Sequence, residues 1–305
     1  MTKPNEAHGQ RPGCAMPAWL RELRPLHWVK NVLVLVPLAA AHNLDQLALL
    51  GRAALAFVAF SLCSSGLYVV NDLLDLEADR RHPVKRRRPL AAGELGRAAA
   101  IALIAATWTG SALIAIQLGI GCISVLAAYV LLMLCYSLWL KQLALVDALV
   151  LAAGYAARVG IGAIAVSTPP SAWLIACCIC LFFSLALVKR YSELARSRDR
   201  EGPTAHARGY EVADLPMIAT FGVVSGYLSV LVLAMYLTSG RTFSHLYSRP
   251  AFIGLTAMLL LYWISYVWLL TNRGQMSEDP VVFALRNRRS RGLVILMGVC
   301  ALLAV

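Results

Sequence analysis

The sequence predicts an all-α membrane protein, a bundle of about nine transmembrane helices with two pseudo-repeated four-helix halves. Three observations carry this expectation. Of the 305 residues, 59% are hydrophobic and 14% charged, against about 25% charged in a soluble domain, and the mean hydropathy is +0.67. Apolar stretches near the roughly 20 residues that cross a bilayer recur along the chain. Lys and Arg collect in alternate loops, the bias that orients membrane helices.

Taken in order, the spans are expected at 32–44, 53–72, 98–118, 120–140, 143–166, 171–188, 214–238, 251–271 and 290–305. Residues 1–30 form a polar, Pro-rich N-terminal arm without the pattern of a cleavable signal peptide, so the first span is expected to serve as the targeting signal. Residues 31–305 then form a single transmembrane domain. The first span is short and contains Pro37, which predicts a tilted or partly re-entrant helix. The second runs directly into a dense charge cluster, the fifth carries Arg158 within it, and the sixth ends at Lys189. Of the 28 Lys and Arg, 24 fall in the arm to Lys30, the 72–97 loop, Lys141, and the 189–213 and 272–291 loops. Arg52, Arg158, Arg241 and Arg249 are the remainder. This asymmetry predicts a multi-pass plasma (inner) membrane protein with its N-terminus and its large loops cytoplasmic and its C-terminus outside.

The net charge of +12 does not point to nucleic acid, because the basic residues are spread over five loops instead of one patch. Topology accounts for most of them, and anionic membrane lipids or a polyphosphorylated substrate account for the density at 80–88 and 189–208. Cys63, Cys122, Cys135, Cys177, Cys178 and Cys180 fall in spans, as small packing residues. The two large basic loops follow the second and sixth spans, with Asp75 and Glu193 about four helices apart, which suggests a duplicated four-helix unit with one helix appended.

The stretch from Asn71 to Gly93 holds four of the 16 acidic residues and six of the 28 Lys and Arg. In a continuous helix the spacing i, i+3, i+7 brings Asp72, Asp75 and Asp79 onto one face, within about 60°. Such a cluster repels itself unless a divalent cation sits among the carboxylates. Mg2+ suits it, taking one or two carboxylates and completing its shell with phosphate and water. Asn71 adds a neutral oxygen or a donor. Arg80, Arg81, His82, Lys85, Arg86, Arg87 and Arg88 follow at once, with Pro83 and Pro89 turning the chain. Metal-bound carboxylates beside a cationic clamp make a diphosphate site. The plainer alternative is that the acids pair with the neighbouring Arg residues and the basic run only fixes topology.

Asn71-Asp72-x-x-Asp75-x-x-x-Asp79, followed by Arg80, His82-Pro83, Lys85, Arg88-Pro89 and Gly93, resembles the first signature of the UbiA superfamily of intramembrane prenyltransferases. Tyr136-Ser137, Lys141, Asp147, Arg158 and Gly162 resemble a later segment of that family, and the likeness covers nearly the whole chain. It implies a nine-helix bundle around a cavity open to the cytoplasm and to lipid. Aromatic prenyltransferases of the family carry a second Asp-rich motif after the sixth helix. Here the stretch reads Lys189-Arg190-Tyr191-Ser192-Glu193, and Asp199 and Glu201 lack the spacing. Lys189-Arg190-x-x-Glu193, Arg24-Pro25-x-x-Trp28-x-Lys30-Asn31 and Glu278-Asp279-Pro280 through Arg286-x-Arg288 are similar instead to the decaprenyl-phosphate phosphoribosyltransferase branch.

The resemblance therefore implies Mg2+-dependent transfer of 5-phosphoribosyl from phosphoribosyl diphosphate to a polyprenyl phosphate, with release of diphosphate. Asp72, Asp75 and Asp79 are the expected metal and catalytic residues. Arg80, Lys85 and Arg88 surround the diphosphate, with Asn71 beside them, and Lys30, Lys141 or Arg158 positions the lipid phosphate. Lys189, Arg190 and Glu193 hold the 5-phosphate and ribose, and the motifs add Asn31 and Tyr136 to the substrate-binding set. Arg158 needs a partner inside its span, for which Asp147 is a candidate; Trp28, Trp139 and Trp173 read as interfacial belt residues. The alternatives are a prenyltransferase that takes a prenyl diphosphate donor, disfavoured by the missing second motif, and a transporter or lipid-binding protein, disfavoured by acids that lie at a loop end instead of midplane. No nucleic-acid partner is expected, and a homo-oligomer is left open.

Overall fold

Pro25 and Pro37 shape the N-terminal segment before any long helix begins. The computed structural model describes residues 16–41, 45–168, 172–201, 206–238, 249, 251–276 and 279–304. Residues 42–44 of the first expected span, Lys3, Arg11, Arg241 and Glu278 lie outside the described residues. A short helix α1 (Ala18–Glu22) precedes Arg24, whose φ is 52°, and a 3-10 segment over Pro25–Leu35 continues as α2 (Val36–Ala40). The first span thus starts before residue 32 and is mostly 3-10, unusually long for that conformation. Tertiary contacts hold it there. Asn31 Nδ2 donates to Ser61 Oγ at 2.9 Å, the Trp28 indole donates to Ser65 Oγ at 2.9 Å, and Gly162 leaves room for the Val34 carbonyl. Trp28 therefore ties this segment to the next helix.

The long helices follow: α3 (Leu47–Leu74), a short α4 (Leu76–Arg81), α5 (Arg97–Leu118), α6 (Ile120–Leu138), α7 (Val146–Ala165), α8 (Ala172–Glu201), α9 (Leu215–Thr238) and α10 (Ala251–Asn272). A short α11 (Pro280–Arg286) and α12 (Arg288–Leu303) complete the chain. Among the described residues, seven helices are long and apolar enough to cross a membrane; Pro25–Ala40 is a shorter apolar helix, and α12 has 16 residues. The expected nine crossings are thus met in length by seven.

Small residues let the helices approach closely, as packing between membrane helices requires. Gly66 of α3 faces Trp108 and Thr107 of α5, while Gly222 of α9 lies under Trp268 of α10. Ser111 Oγ donates to the Ala59 carbonyl at 2.8 Å, and Ser225 Oγ to the Cys180 carbonyl at 2.8 Å. Buried apolar side chains form two main clusters. One joins the N-terminal segment, α3, α5, α6 and α7 around Phe60; the other joins α7, α8, α9 and α10 around Phe182 and Ile264. Helix α7 supplies both, Ile161 to the first and Val159 to the second. The two clusters thus meet along this helix.

Two expectations need correction. Helix α3 ends with Asp75 as its C-cap (φ −92°, ψ 8°), so the acids do not lie along one continuous helical face. The expected 189–213 loop is helical to Glu201, because it contains good helix formers and no Pro before Pro203. Lys189, Arg190 and Glu193 therefore sit on α8.

Candidate functional site

The ends of α3, α6, α7 and α8, with the N-terminal segment and α11, enclose a cavity of about 710 Å³. Its apolar lining includes Leu67, Met133, Leu151 and Leu185. Of the residues expected from sequence, Lys30, Asn71, Asp75, Asp79, Lys85, Arg88, Tyr136, Lys141, Arg158, Lys189 and Glu193 line it.

At one end, the break after Leu74 and the turns at Pro83 and Pro89 fold the basic run back over the acids. His82 Nδ1 accepts from the backbone of Val84 and Lys85 at 3.1 and 3.2 Å, so this histidine shapes the turn. Arg88 can then reach Asp72 at 2.8 Å and Asp79 at 2.5 Å with the same nitrogen. Arg24 also pairs with Asp72, and Lys85 stands 3.6 Å from Asp79. Asp72 itself is 2% exposed and meets the cavity through Arg24 and Arg88. Asp75 faces elsewhere, 3.0 Å from Lys141 Nζ and 3.4 Å from Asn71 Nδ2.

Among the described residues, no three His, Cys, Asp or Glu side chains converge closely enough to hold a metal ion. Asp72 and Asp79 do converge as a pair, on the nitrogen of Arg88. Two hard carboxylates suffice for Mg2+ when phosphate and water fill the other positions, so the donors present fit that ion. The plainer reading, acids paired with cations, describes the contacts made here. Arg80 is not part of the wall: it is exposed and pairs with Glu77 at 3.0 Å.

At the deeper end, Arg158 is 5% exposed, and its partner is not Asp147. It donates to Asn31 Oδ1 at 2.8 Å, to the Gly154 carbonyl at 2.6 Å and to the Tyr129 hydroxyl at 3.3 Å. Its guanidinium lies 4.8, 5.4 and 5.1 Å from the ring centroids of Phe60, Tyr129 and Tyr155, within cation–π range. Asn31 is buried behind it and serves as its acceptor; it does not line the cavity.

The third part lies on α8. Asp147 goes to Arg190, which also donates to Glu193 at 2.5 Å and to the Tyr136 hydroxyl at 3.0 Å. At 1% exposure with three partners, Arg190 is a buried tie between α6, α7 and α8 and not a cavity residue. Lys189 and Glu193 do reach the cavity. Beside Lys189, Lys30 Nζ meets Asp279 Oδ2 at 2.7 Å, while Asp279 Oδ1 accepts from the Val281 amide at 3.1 Å and caps α11. Burial alone would raise the Asp279 carboxyl, but Lys30 and Lys189 outweigh it and hold the group below its ordinary value.

Sequence reasoning assigned no role to Arg24, His27, Tyr155 or Arg208, all on the wall, or to Glu22 behind Asp72. Arg24 stands just before Pro25 at the edge of an apolar segment, which is a usable signal; nothing local marks Glu22.

Residues 32–289 match the model of the UbiA prenyltransferase family. The chain is 36% identical over 276 residues to protein y4nM of Sinorhizobium fredii, covering 89% of this chain and 53% of that protein, so it spans about half the length of this relative. It is 32% identical over 289 residues to decaprenyl-phosphate phosphoribosyltransferase of Mycobacterium tuberculosis, covering 92% of this chain and 91% of that one. In fold it matches a UbiA homolog from Archaeoglobus fulgidus bound to GPP and Mg2+, with a TM-score of 0.70 at 15% identity over 94% of this chain and 98% of the other. A predominantly helical integral membrane protein with charged groups gathered at one cavity, the chain belongs to the UbiA prenyltransferase family.

Proposed function

We propose that this cavity transfers 5-phosphoribosyl from phosphoribosyl diphosphate to a polyprenyl phosphate and releases diphosphate. The observation that carries the reading is the cavity face of α8. Where a prenyl diphosphate enzyme of this family has its second acidic motif, this chain presents Lys189 and Glu193. A donor and an acceptor that each carry a phosphate beyond the departing diphosphate need such cations, and prenyl diphosphate does not. The relative of this name, similar over nearly its full length, supports the same choice, and an Mg2+-bound neighbour of the same fold supports the metal.

Asp72 and Asp79 would hold Mg2+, with Asp75 near, and the ion when bound neutralises charge on the diphosphate. Arg88, Lys85 and Arg24 receive the departing oxygens, Arg88 with the planar donor fork that suits phosphate. The bond between the anomeric carbon and the diphosphate oxygen breaks with its electron pair on oxygen. An oxygen of the lipid phosphate bonds to the same carbon, oriented by Lys30 or Arg158. That oxygen is already ionised at neutral pH, so no general base is required. The apolar wall of Leu67, Met133 and Leu151 accommodates the start of the prenyl tail. The charged loops face the cytoplasm of the inner membrane in this reading, as the distribution of Lys and Arg favours.

The test is purified protein with Mg2+, labelled phosphoribosyl diphosphate and polyprenyl phosphate. A labelled lipid is expected. Its absence, together with turnover of a prenyl diphosphate and an aromatic acid, refutes the proposal in favour of a prenyl donor.

A further inference from the structure

We infer that Arg208 is a specificity-determining residue that binds the 5-phosphate of the donor, an inference that rests on the phosphoribosyl reading above. Residues His206–Ala207 and Tyr210–Glu211 form a small antiparallel hairpin, paired His206 to Glu211 and Ala207 to Tyr210. Arg208 and Gly209 are its two-residue turn, with φ of 54° and 76°, the double positive φ of a type I′ turn. Asn, Asp or Gly normally occupy the first of these positions, and an Arg there adopts a backbone conformation that L side chains rarely take. An outlier of this kind persists where the surroundings fix it, often beside a binding site.

The hairpin is fixed at three places. Gly209 lies against the Gln142 carbonyl, where a Cβ would overlap it. The Tyr210 hydroxyl donates to Asp147 Oδ1 at 2.7 Å and accepts from the Leu145 amide at 2.7 Å. Glu211 and Asp214 form a reciprocal cap that closes the segment onto α9. Gln142 directly follows Lys141, so the hairpin seats Arg208 on the cavity wall beside Tyr136 and Glu193.

On this mount the Arg208 side chain lines the cavity, donating to the Tyr136 hydroxyl at 2.9 Å with Nε 3.9 Å from Glu193. Arg190 cannot serve here, since its three partners and full burial keep it off the wall. Lys189 and Arg208 are the cations that flank Glu193 on the cavity side. A phosphoribosyl donor is anionic at two ends, and the Asp72, Asp79 and Arg88 end takes the diphosphate. The remaining 5-phosphate meets the guanidinium fork of Arg208, whose paired donors suit phosphate better than an ammonium does. A prenyl diphosphate has hydrocarbon at that place and offers Arg208 no phosphate to bind beside Glu193, so the residue selects the phosphorylated sugar.

The test measures KM for phosphoribosyl diphosphate, and inhibition by ribose 5-phosphate and by inorganic diphosphate, in the wild type, Arg208→Gln and Arg208→Lys. Loss of a charged hydrogen-bond pair predicts that R208Q raises KM for the donor and weakens ribose 5-phosphate by about tenfold or more. Inhibition by diphosphate and KM for the lipid phosphate should stay within about twofold, and R208K should be intermediate. If R208Q weakens diphosphate as much as ribose 5-phosphate, or weakens neither, Arg208 does not read the 5-phosphate. If the wild type makes no ribosylated lipid at all, the phosphoribosyl reading falls first and this inference with it.

Discussion

Glu22 lies buried beside Asp72 at 1% exposure, its carboxyl group facing that of Asp72 and the Leu90 backbone amide. Two carboxyl groups in contact bond only when one of them carries a proton. Burial, then the charge of Asp72, pushes the Glu22 pKa from 4.5 up to about 7.

That shift sets the sign of a pH effect. The folded state holds a proton that the unfolded chain releases between about pH 4.5 and 7. The stabilisation is fully present below the unfolded value and is lost as pH rises through the folded one. Glu22→Gln carries no such charge, so its stability should gain on the wild type as pH rises, by roughly 1–3 kcal/mol between pH 4.5 and 8. Thermal unfolding in detergent across that range tests this; parallel curves for the two proteins would count against it.

Lys30 and Asp279 form an ion pair within the cavity, with side-chain exposures of 10% and 19%. Asp279→Asn keeps an N-cap for α11, because Asn caps as well as Asp, but leaves Lys30 without its carboxylate. Removing one partner of a buried pair costs about 3–5 kcal/mol. A lower melting temperature is expected for D279N, partly restored in the double variant with Lys30→Met. Equal melting of D279N and wild type would show that the pair contributes nothing.

Arg190 should behave as a structural residue. Arg190→Met leaves Asp147 buried with Tyr210 as its remaining donor, at a cost of about 3–5 kcal/mol. Arg190→Lys cannot reproduce a fork that serves Asp147, Glu193 and Tyr136 together. Both variants should lose thermal stability, with KM changed little in whatever protein stays folded. A stable R190M protein with a much higher donor KM would return Arg190 to the substrate.

The acids should divide by metal dependence. Asp79→Asn removes half of the convergent pair and should lower turnover about 10³-fold while raising the Mg2+ concentration needed for half activity. Asp75→Asn should also impair turnover, with a smaller change in Mg2+ dependence, since Asp75 faces Lys141. Metal titrations of both variants separate these outcomes, and identical metal curves would place all three acids in one coordination shell.

Gly162→Ala tests the irregular first segment. The added methyl meets the backbone of Val34, which cannot yield as a flexible side chain does, and overpacking of this kind costs about 1–3 kcal/mol. A variant as stable as the wild type would show that the Pro25–Leu35 segment is free to move away from α7.

The spans were legible because hydrophobicity and loop charge act locally, and α5, α6, α9 and α10 fall close to where the apolar runs predict them. What stayed hidden came from long-range contacts. The break at Asp75 is accompanied by Lys141, 66 positions later, so an i, i+3, i+7 pattern read on one helix could not register it. Asp147 and Arg158 look like partners by spacing, yet Asp147 is taken by Arg190 from another helix, and aromatic rings with Asn31 surround Arg158. The extended 3-10 stretch owes its shape to Ser61, Ser65 and Gly162 on other helices, and no propensity scale reads those.

The tie between Lys30 and Asp279 also orders events during synthesis. The two residues are 249 positions apart, so at about 5–20 residues per second Lys30 leaves the ribosome roughly 12–50 s before its counter-charge exists. Through that interval the half-built bundle holds a lysine without its eventual carboxylate, and anionic lipid head groups are the counter-ions at hand. The wall of the cavity closes only once Asp279 has been made, and a ribosome that stops short of it releases a bundle whose Lys30 has no mate.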